Sequence, residues 1–444
     1  MANAPVTVAN LIDDRAMGPL QYRAFVLAGL AILMDGYDTQ AAAYVAPTIS
    51  KDWALPTGAF GSVFAAGLIG SALGSLALAP LADRIGRKRV MVASTIAIGL
   101  FTSLCASAQS LHALELLRFL TGVGLGAALP NALALISEYS PERKRTRVVA
   151  ITFCGLPIGA ALGAVVATQL APSYGWQSVF ITGGLATLIV CPVLQRLLPE
   201  SLAYLVLRNP ESPQALAILG RLGISPSALE LVAEDRANSA PGFASVFRDG
   251  RAVVTVTYGL LAFFTLLTLY LLNNWLPTLI HAMGFQLSQA SWATAGFQLG
   301  GILGAVSLGV LADRLDPVRV VVMAYAAAAM VIVAIAFASG PLSIALAAGA
   351  AGFTVVGAQS CNNAMVASLY PTSSRGTALG LNLTIGRIGS IIGPSVTGLL
   401  LLMHVTARHV LIFAALPVVC AVILLLSAAN PIRRVARSSK SSVC

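Results

Sequence analysis

Two aspartates, Asp35 and Asp38, lie inside a stretch apolar enough to cross a bilayer, YRAFVLAGLAILMDGYDTQAAAYVAPTI over 22–49. A carboxylate at that depth is costly unless it is paired, hydrated or protonated. Three positions apart, the two fall on one face of a helix. A purely structural helix gains nothing from such a load, whereas a carrier that moves protons does. Burial disfavours the charged form of a carboxyl, and a neighbouring carboxylate does so again for one member of a pair. At least one of the two is therefore expected to take and release a proton as its surroundings change. A guanidinium drawing near would drive that proton off, and two arginines, Arg118 and Arg387, also lie within apolar stretches.

The elements that must position these charges are helices in lipid. Hydrophobic residues make up 57% of the 444, charged residues only 10%, and the mean hydropathy is +0.84. A soluble domain carries about a quarter charged residues. A scan over about 19 residues predicts twelve spans, near 22–46, 58–82, 89–108, 113–138, 147–171, 176–198, 252–275, 288–312, 317–339, 343–369, 376–402 and 406–429. Each is close to the roughly 20 residues a bilayer requires. The runs are continuous, not alternating, which indicates an all-α integral membrane protein and not a barrel.

Lys and Arg set the orientation. Arg84, Arg87, Lys88 and Arg89 follow the second span, Arg143, Lys144, Arg145 and Arg147 the fourth, and Arg433, Arg434, Arg437 and Lys440 close the chain. By the positive-inside rule both termini are cytoplasmic. The net charge of +10 is thus read as topology and contact with anionic lipid, with no nucleic-acid partner. Residues 1–21 show no apolar leader with a cleavage site and are read as a cytoplasmic tail. The six cysteines (Cys105, Cys154, Cys191, Cys361, Cys420 and Cys444) have no metal-type spacing and are read as packing residues. No metal or organic cofactor is expected, only protons as the coupling ion.

One long polar interruption, 199–251, divides the spans six and six and is read as a cytoplasmic loop with amphipathic pieces. The expected organisation is a six-helix bundle over 22–198, this loop, a second six-helix bundle over 252–429 and a cytoplasmic tail over 430–444. Each half repeats a hairpin between its second and third spans, LADRIGRKR at 81–89 and LADRLDPVR at 311–319. The same segment in the same slot argues for an internal duplication. Asp83 and Asp313 can cap or pair at a cytoplasmic helix end, and Arg84, Arg87 and Arg314 offer charge-assisted bonds. With Glu138, which precedes the PERKR run, they are expected to form a gate.

These hairpins resemble the loop signature of the major facilitator superfamily, G-x-L-A-D-R-x-G-R-K/R. Ala79 replaces the leading glycine in the first copy; Gly309 keeps it in the second, where Asp316 replaces the later one. A narrower resemblance rests on DGYDTQAAAYVAP at 35–47, RFLTGVGLGAALPNALALISEY at 118–139, NNWLPTL at 273–279, GAQS at 357–360 and GRIGSIIGP at 386–394. Together these look like the aromatic acid:proton symporter family of that superfamily. The resemblance implies two pseudo-symmetric bundles, alternating access, and a small aromatic carboxylate such as a hydroxybenzoate or phenylpropanoate as substrate. It also implicates the first-span aspartates in transport.

Depth suggests how such a site is assembled. At about 1.5 Å per residue, Asp35 lies about 20 Å from the cytoplasmic end of its span, Asp38 about 4 Å further, and Arg387 about 17 Å into its own. These three share the midplane, where carriers place their sites. Arg118 lies nearer the outer side, closer in level to Asp38. Arg387 is the expected partner of the substrate carboxylate, since its planar fork matches that group; a permanent pair with an aspartate is the competing reading. Asp35, Asp38 and Arg118 form the expected proton-coupling set, with a fixed Asp38–Arg118 bridge, or a Glu115–Arg118 pair along one helix, as alternatives. Aromatic walls are sought in Tyr37, Phe153, Phe264, Tyr270, Trp275 and Phe297. Trp275, beside Pro277, reads as an interfacial anchor or gate. Hydroxyl recognition is sought in the amides Asn131, Gln298, Gln359, Asn362 and Asn382, because an amide in an apolar span either bonds a neighbouring helix or lines a cavity.

An enzyme is not expected. No H-E-x-x-H occurs, and His112, His281, His404 and His409 have no ligand partner at helical spacing. The rival expectation is proton-coupled export of aromatic or drug-like compounds. CGLPIGAALGA at 154–164 resembles the Gly-Pro signature of drug:proton antiporters, although Leu156 separates Gly155 from Pro157. The favoured expectation is a monomeric importer in a bacterial inner membrane, serving aromatic catabolism.

Overall fold

The computed structural model describes residues 17–78, 80–208, 212–222, 246–247, 251–370 and 372–441. Ala79 and most of the central loop lie outside these. The first half runs through α1 (Pro19–Asp52), α2 (Phe60–Ala77), α3 (Arg87–Cys105), α4 (Leu111–Tyr139), α5 (Glu142–Phe153), α6 (Gly155–Tyr174) and α7 (Gln177–Leu197). Two short helices, α8 (Leu202–Arg208) and α9 (Pro213–Leu222), are the amphipathic pieces expected of the central loop. The second half holds α10 (Ala252–Ala282), α11 (Leu287–Arg314), α12 (Pro317–Ala336), α13 (Pro341–Leu369), α14 (Thr372–Leu402), α15 (Ala407–Ala414) and α16 (Leu416–Ser441).

Among the described residues, eleven spans are long and apolar enough to cross a membrane. The first predicted span is the one not counted. At 34 residues α1 has ample length, but the polar run from Asp35 to Gln40 lowers its apolarity. Two other predicted spans are each built from two helices. The fifth breaks at Cys154 and the twelfth at Ala415. Proline explains both breaks. Pro157 and Pro417 lack the N–H that would bond the carbonyls of Phe153 and Phe413. The last helix also continues to Ser441, beyond the boundary expected at 429.

By internal contact the chain divides into two units. One takes the chain up to Thr39, Ala66–Ala160 and Gln177–Ser239; the other takes Gln40–Ala65, Ala161–Trp176 and Ala240–Cys444. In the first, α3 packs on α4 and α7; in the second, α11 packs on α13 and α10 on α14.

One packing device recurs in both. A Cβ on Gly122 of α4 would collide with the Gly67 carbonyl oxygen of α2, and a Cβ on Gly352 of α13 would collide with the Phe297 carbonyl oxygen of α11. Both helix pairs thus meet backbone to backbone, through the small residues that close membrane packing requires. The second and fourth spans of each half are thus joined the same way.

Candidate functional site

The acid–base set is assembled on α1, α3 and α4. Asp35, Asp38 and Arg118 are all buried, with 5%, 1% and 5% of their surface accessible. Arg118 Nη1 lies 3.0 Å from both Asp38 carboxylate oxygens, and Nη2 donates to the Asp38 main-chain carbonyl at 3.1 Å. Thr102 of α3 donates its hydroxyl to the same carboxylate. A buried charge pair is tolerable only when its remaining lone pairs and protons are also satisfied, and here they are. The adjacent Tyr37 anchors α1 by donating to the Val179 carbonyl at 2.8 Å.

Asp35 differs sharply. Its contact is the Thr39 hydroxyl, 3.4 Å away and one turn along α1, and among the described residues it has no ion pair. Two carboxylates one turn apart therefore sit in unlike surroundings, one held by a cation and one not. The alternative pairing of Arg118 with Glu115 is not formed, because Glu115 turns outward to His112 at 3.0 Å.

A second buried polar group lies in the other unit. Gln298 of α11 donates to the Asn273 side-chain oxygen at 2.6 Å, and Gln40 of α1 donates to the Asn273 carbonyl. Gln40 and Asn273 escaped the sequence reading. Both are amides in apolar spans, the signal already used for Gln298. A third group joins α13 and α14, where Gln359 donates to Asn363 at 3.3 Å and Asn382 reaches the same oxygen at 3.5 Å. Asn362 is fully buried beside them.

Other expected residues are placed less pointedly. Arg387 is partly buried within α14. Asn131 is buried, but its amide donates to the Ala127 carbonyl of its own helix at 2.8 Å. Tyr270 and Phe264 are partly buried on α10, Phe153 is 44% exposed at the end of α5, and Phe297 is wholly buried. Trp275 is not an interfacial anchor. It is fully buried, donates to the Pro394 carbonyl at 2.9 Å and meets Phe64 edge to face. The helix runs through Pro277 to Ala282 instead of ending there.

The charges of the first repeated hairpin form a network in the first half. Arg87 pairs with Glu138 and lies 3.4 Å from Asp83, which is largely exposed. Glu138 accepts from the Ser201 hydroxyl at 2.6 Å, and Glu200 accepts from the Lys88 main-chain N–H at 2.9 Å. The Arg84 side chain is exposed. Asp313 and Arg314 are exposed and form no ion pair among the described residues. In that copy the helix-capping role falls instead to Asp316, which accepts from the Val318 N–H at 3.1 Å.

Long apolar helices carrying two buried carboxylates and a buried guanidinium fit a membrane carrier. The family model for the Major Facilitator Superfamily matches residues 28–285 and 258–442, and the chain belongs to that superfamily. It is 36% identical to the gallate transporter of Pseudomonas putida, over 96% of this chain and 95% of the relative. It is 38% identical to the 4-hydroxybenzoate transporter PcaK of Pseudomonas aeruginosa, over 92% and 93%. Against the 3-(3-hydroxy-phenyl)propionate transporter of Escherichia coli the identity is 36%, over 84% and 86%. Among solved structures, the fold is similar to the inward-open xylose transporter XylE of E. coli, with a TM-score of 0.73, 16% identity and coverage of 91% and 95%. The chain is thus a multi-pass transporter and not an enzyme.

Proposed function

We propose that this protein is a proton symporter that imports small aromatic carboxylates of the hydroxybenzoate kind by alternating access. The substrate class is supported by relatives named for gallate, 4-hydroxybenzoate and hydroxyphenylpropionate, similar over most of their length. Coupling is supported by one observation above the rest. Asp35 is buried one turn from the Asp38–Arg118 pair without a cation of its own. A buried charge left uncompensated is costly, and binding a proton removes that cost. Asp35 is therefore the proton carrier in this reading, and Asp38 and Arg118 are the fixed charges against which it works. Arg387 receives the substrate carboxylate through its planar fork.

The working unit is a monomer in a bacterial inner membrane, with both termini in the cytoplasm and no cofactor beyond the proton. Its bundles correspond to 22–198 and 252–429, and the Arg87–Glu138 network serves as the cytoplasmic gate. The test is uptake of labelled 4-hydroxybenzoate into proteoliposomes under an inward proton gradient. Accumulation that a protonophore abolishes is expected. Gradient-driven loss of preloaded acid would replace this reading with export.

A further inference from the structure

The amide group joining α13 and α14 has a feature the function above does not use. Gln359, Asn362 and Asn382 are at least nine-tenths buried, with 7%, 0% and 3% of their surface accessible. Yet Gln359 Oε1, Asn382 Oδ1 and both polar atoms of the Asn362 side chain have no partner among the described residues. Buried amide atoms are nearly always bonded, so four such atoms in one neighbourhood mark a place where something else supplies the bonds.

The wiring says what that something offers. Asn363 Oδ1 is a shared acceptor, taking the Gln359 amide at 3.3 Å and the Asn382 amide at 3.5 Å. Each of those side chains spends its nitrogen on Asn363, which leaves its oxygen open. Asn362 adds a third open oxygen and the one open nitrogen. The surplus is of acceptors, so the fitting occupant brings a hydrogen-bond donor. The group carries no formal charge, which suits a neutral donor better than a cation.

We propose that Gln359, Asn362 and Asn382, oriented by Asn363, read the phenolic hydroxyl of the substrate and make this carrier selective for a ring substituent that donates a hydrogen bond. The proposal rests on the aromatic-acid reading above. Asn382 and Asn363 become specificity-determining residues of that same site, Asn382 as a contact and Asn363 as a positioning residue that holds both amide nitrogens and leaves the two oxygens open.

The test is calorimetric binding to the purified full-length protein, using 3- and 4-hydroxybenzoate, the 3- and 4-fluorobenzoates and benzoate. Fluorine is close to a hydroxyl in size but donates nothing. For at least one ring position the hydroxy acid should bind about tenfold or more tightly than its fluoro counterpart, as expected of a site built to bond a hydroxyl. Asn362→Leu and Asn382→Leu should each shrink that ratio several-fold, and a monodisperse size-exclusion profile reports an intact fold. Asn363→Asp keeps the shared acceptor and should retain the ratio, whereas Asn363→Leu should lose it.

Equal wild-type affinity for the hydroxy and fluoro acids at both positions overturns the proposal without any variant. So does an unchanged ratio in both leucine variants. If benzoates bind but show no such preference, only this assignment falls. If none of the five acids binds the wild-type protein, the aromatic-acid reading falls with it.

Discussion

Arg118 holds Asp38 across 80 positions of sequence, with one guanidinium nitrogen 3.0 Å from both carboxylate oxygens and the other on the main-chain carbonyl of the same residue. This fixes α1 to α4 by charge and by main chain together. The bond to the main-chain carbonyl does not depend on the charge of the carboxylate.

Breaking this pair should cost stability before it costs anything else. Asp38→Asn leaves a buried guanidinium without its counter-charge, a loss of about 3–5 kcal/mol for a buried pair. Thermal unfolding in detergent should show a large drop in Tm, and Asp38→Asn combined with Arg118→Gln should recover much of it. A single variant as stable as wild type would show that the pair carries no such weight.

Asp35→Asn should behave in the opposite way. It keeps shape and removes only the proton-binding capacity, so the protein should fold and reach the membrane normally. Uphill accumulation should vanish while exchange of internal for external substrate continues, since exchange needs no net proton movement. Retained accumulation would remove Asp35 from the coupling role.

Arg387→Lys should weaken substrate binding by about 1–2 kcal/mol, roughly tenfold, because a point charge replaces a bidentate fork. Equilibrium binding to purified protein checks this directly. An unchanged affinity would return Arg387 to a structural role.

Glu138→Gln and Arg87→Gln should be non-additive. Their side chains are 15% and 17% exposed, so the pair is only partly screened by water, and a coupling of about 1–2 kcal/mol is expected in a double-mutant cycle of unfolding. Strict additivity would argue that Arg87 relies on Asp83 instead.

The backbone seams make a separate prediction. Gly122→Val and Gly352→Val should each reduce the yield of folded protein, with a penalty of roughly 1–3 kcal/mol or more for overpacking. Gly220 of α9 has open space where a Cβ would stand, so Gly220→Ala should be neutral or slightly stabilising. Size-exclusion profiles of the three variants distinguish the cases.

The architecture was largely legible because apolar run length is a one-dimensional signal. The level of Asp38 against Arg118 was legible for the same reason, since depth follows from counting residues along two antiparallel spans. What counting does not give is azimuth. Glu115 and Arg118 share α4, so their spacing is visible in sequence, but whether Arg118 also faces Asp38 depends on how α4 is rotated against α1. The same blindness hid Gln40, which bonds Asn273 of α10, and the reach of Asn382 of α14 to Asn363 of α13. Trp275 was misread for a different reason. Its predicted span ends at 275, yet α10 continues through Pro277 to Ala282, and the indole packs inward.

The seam that Gly352 makes between α11 and α13 has a practical meaning for redesign. On α13 the glycines that set helix spacing, Gly352 and Gly357, and the amides that present open oxygens are different residues, although Gly357 lies only two positions before Gln359. Spacing and chemistry are thus encoded independently along one helix. A library confined to positions 359, 362, 363 and 382 would sample new substrates while leaving the scaffold alone, whereas random mutagenesis of the same helix would spend most of its variants on broken packing.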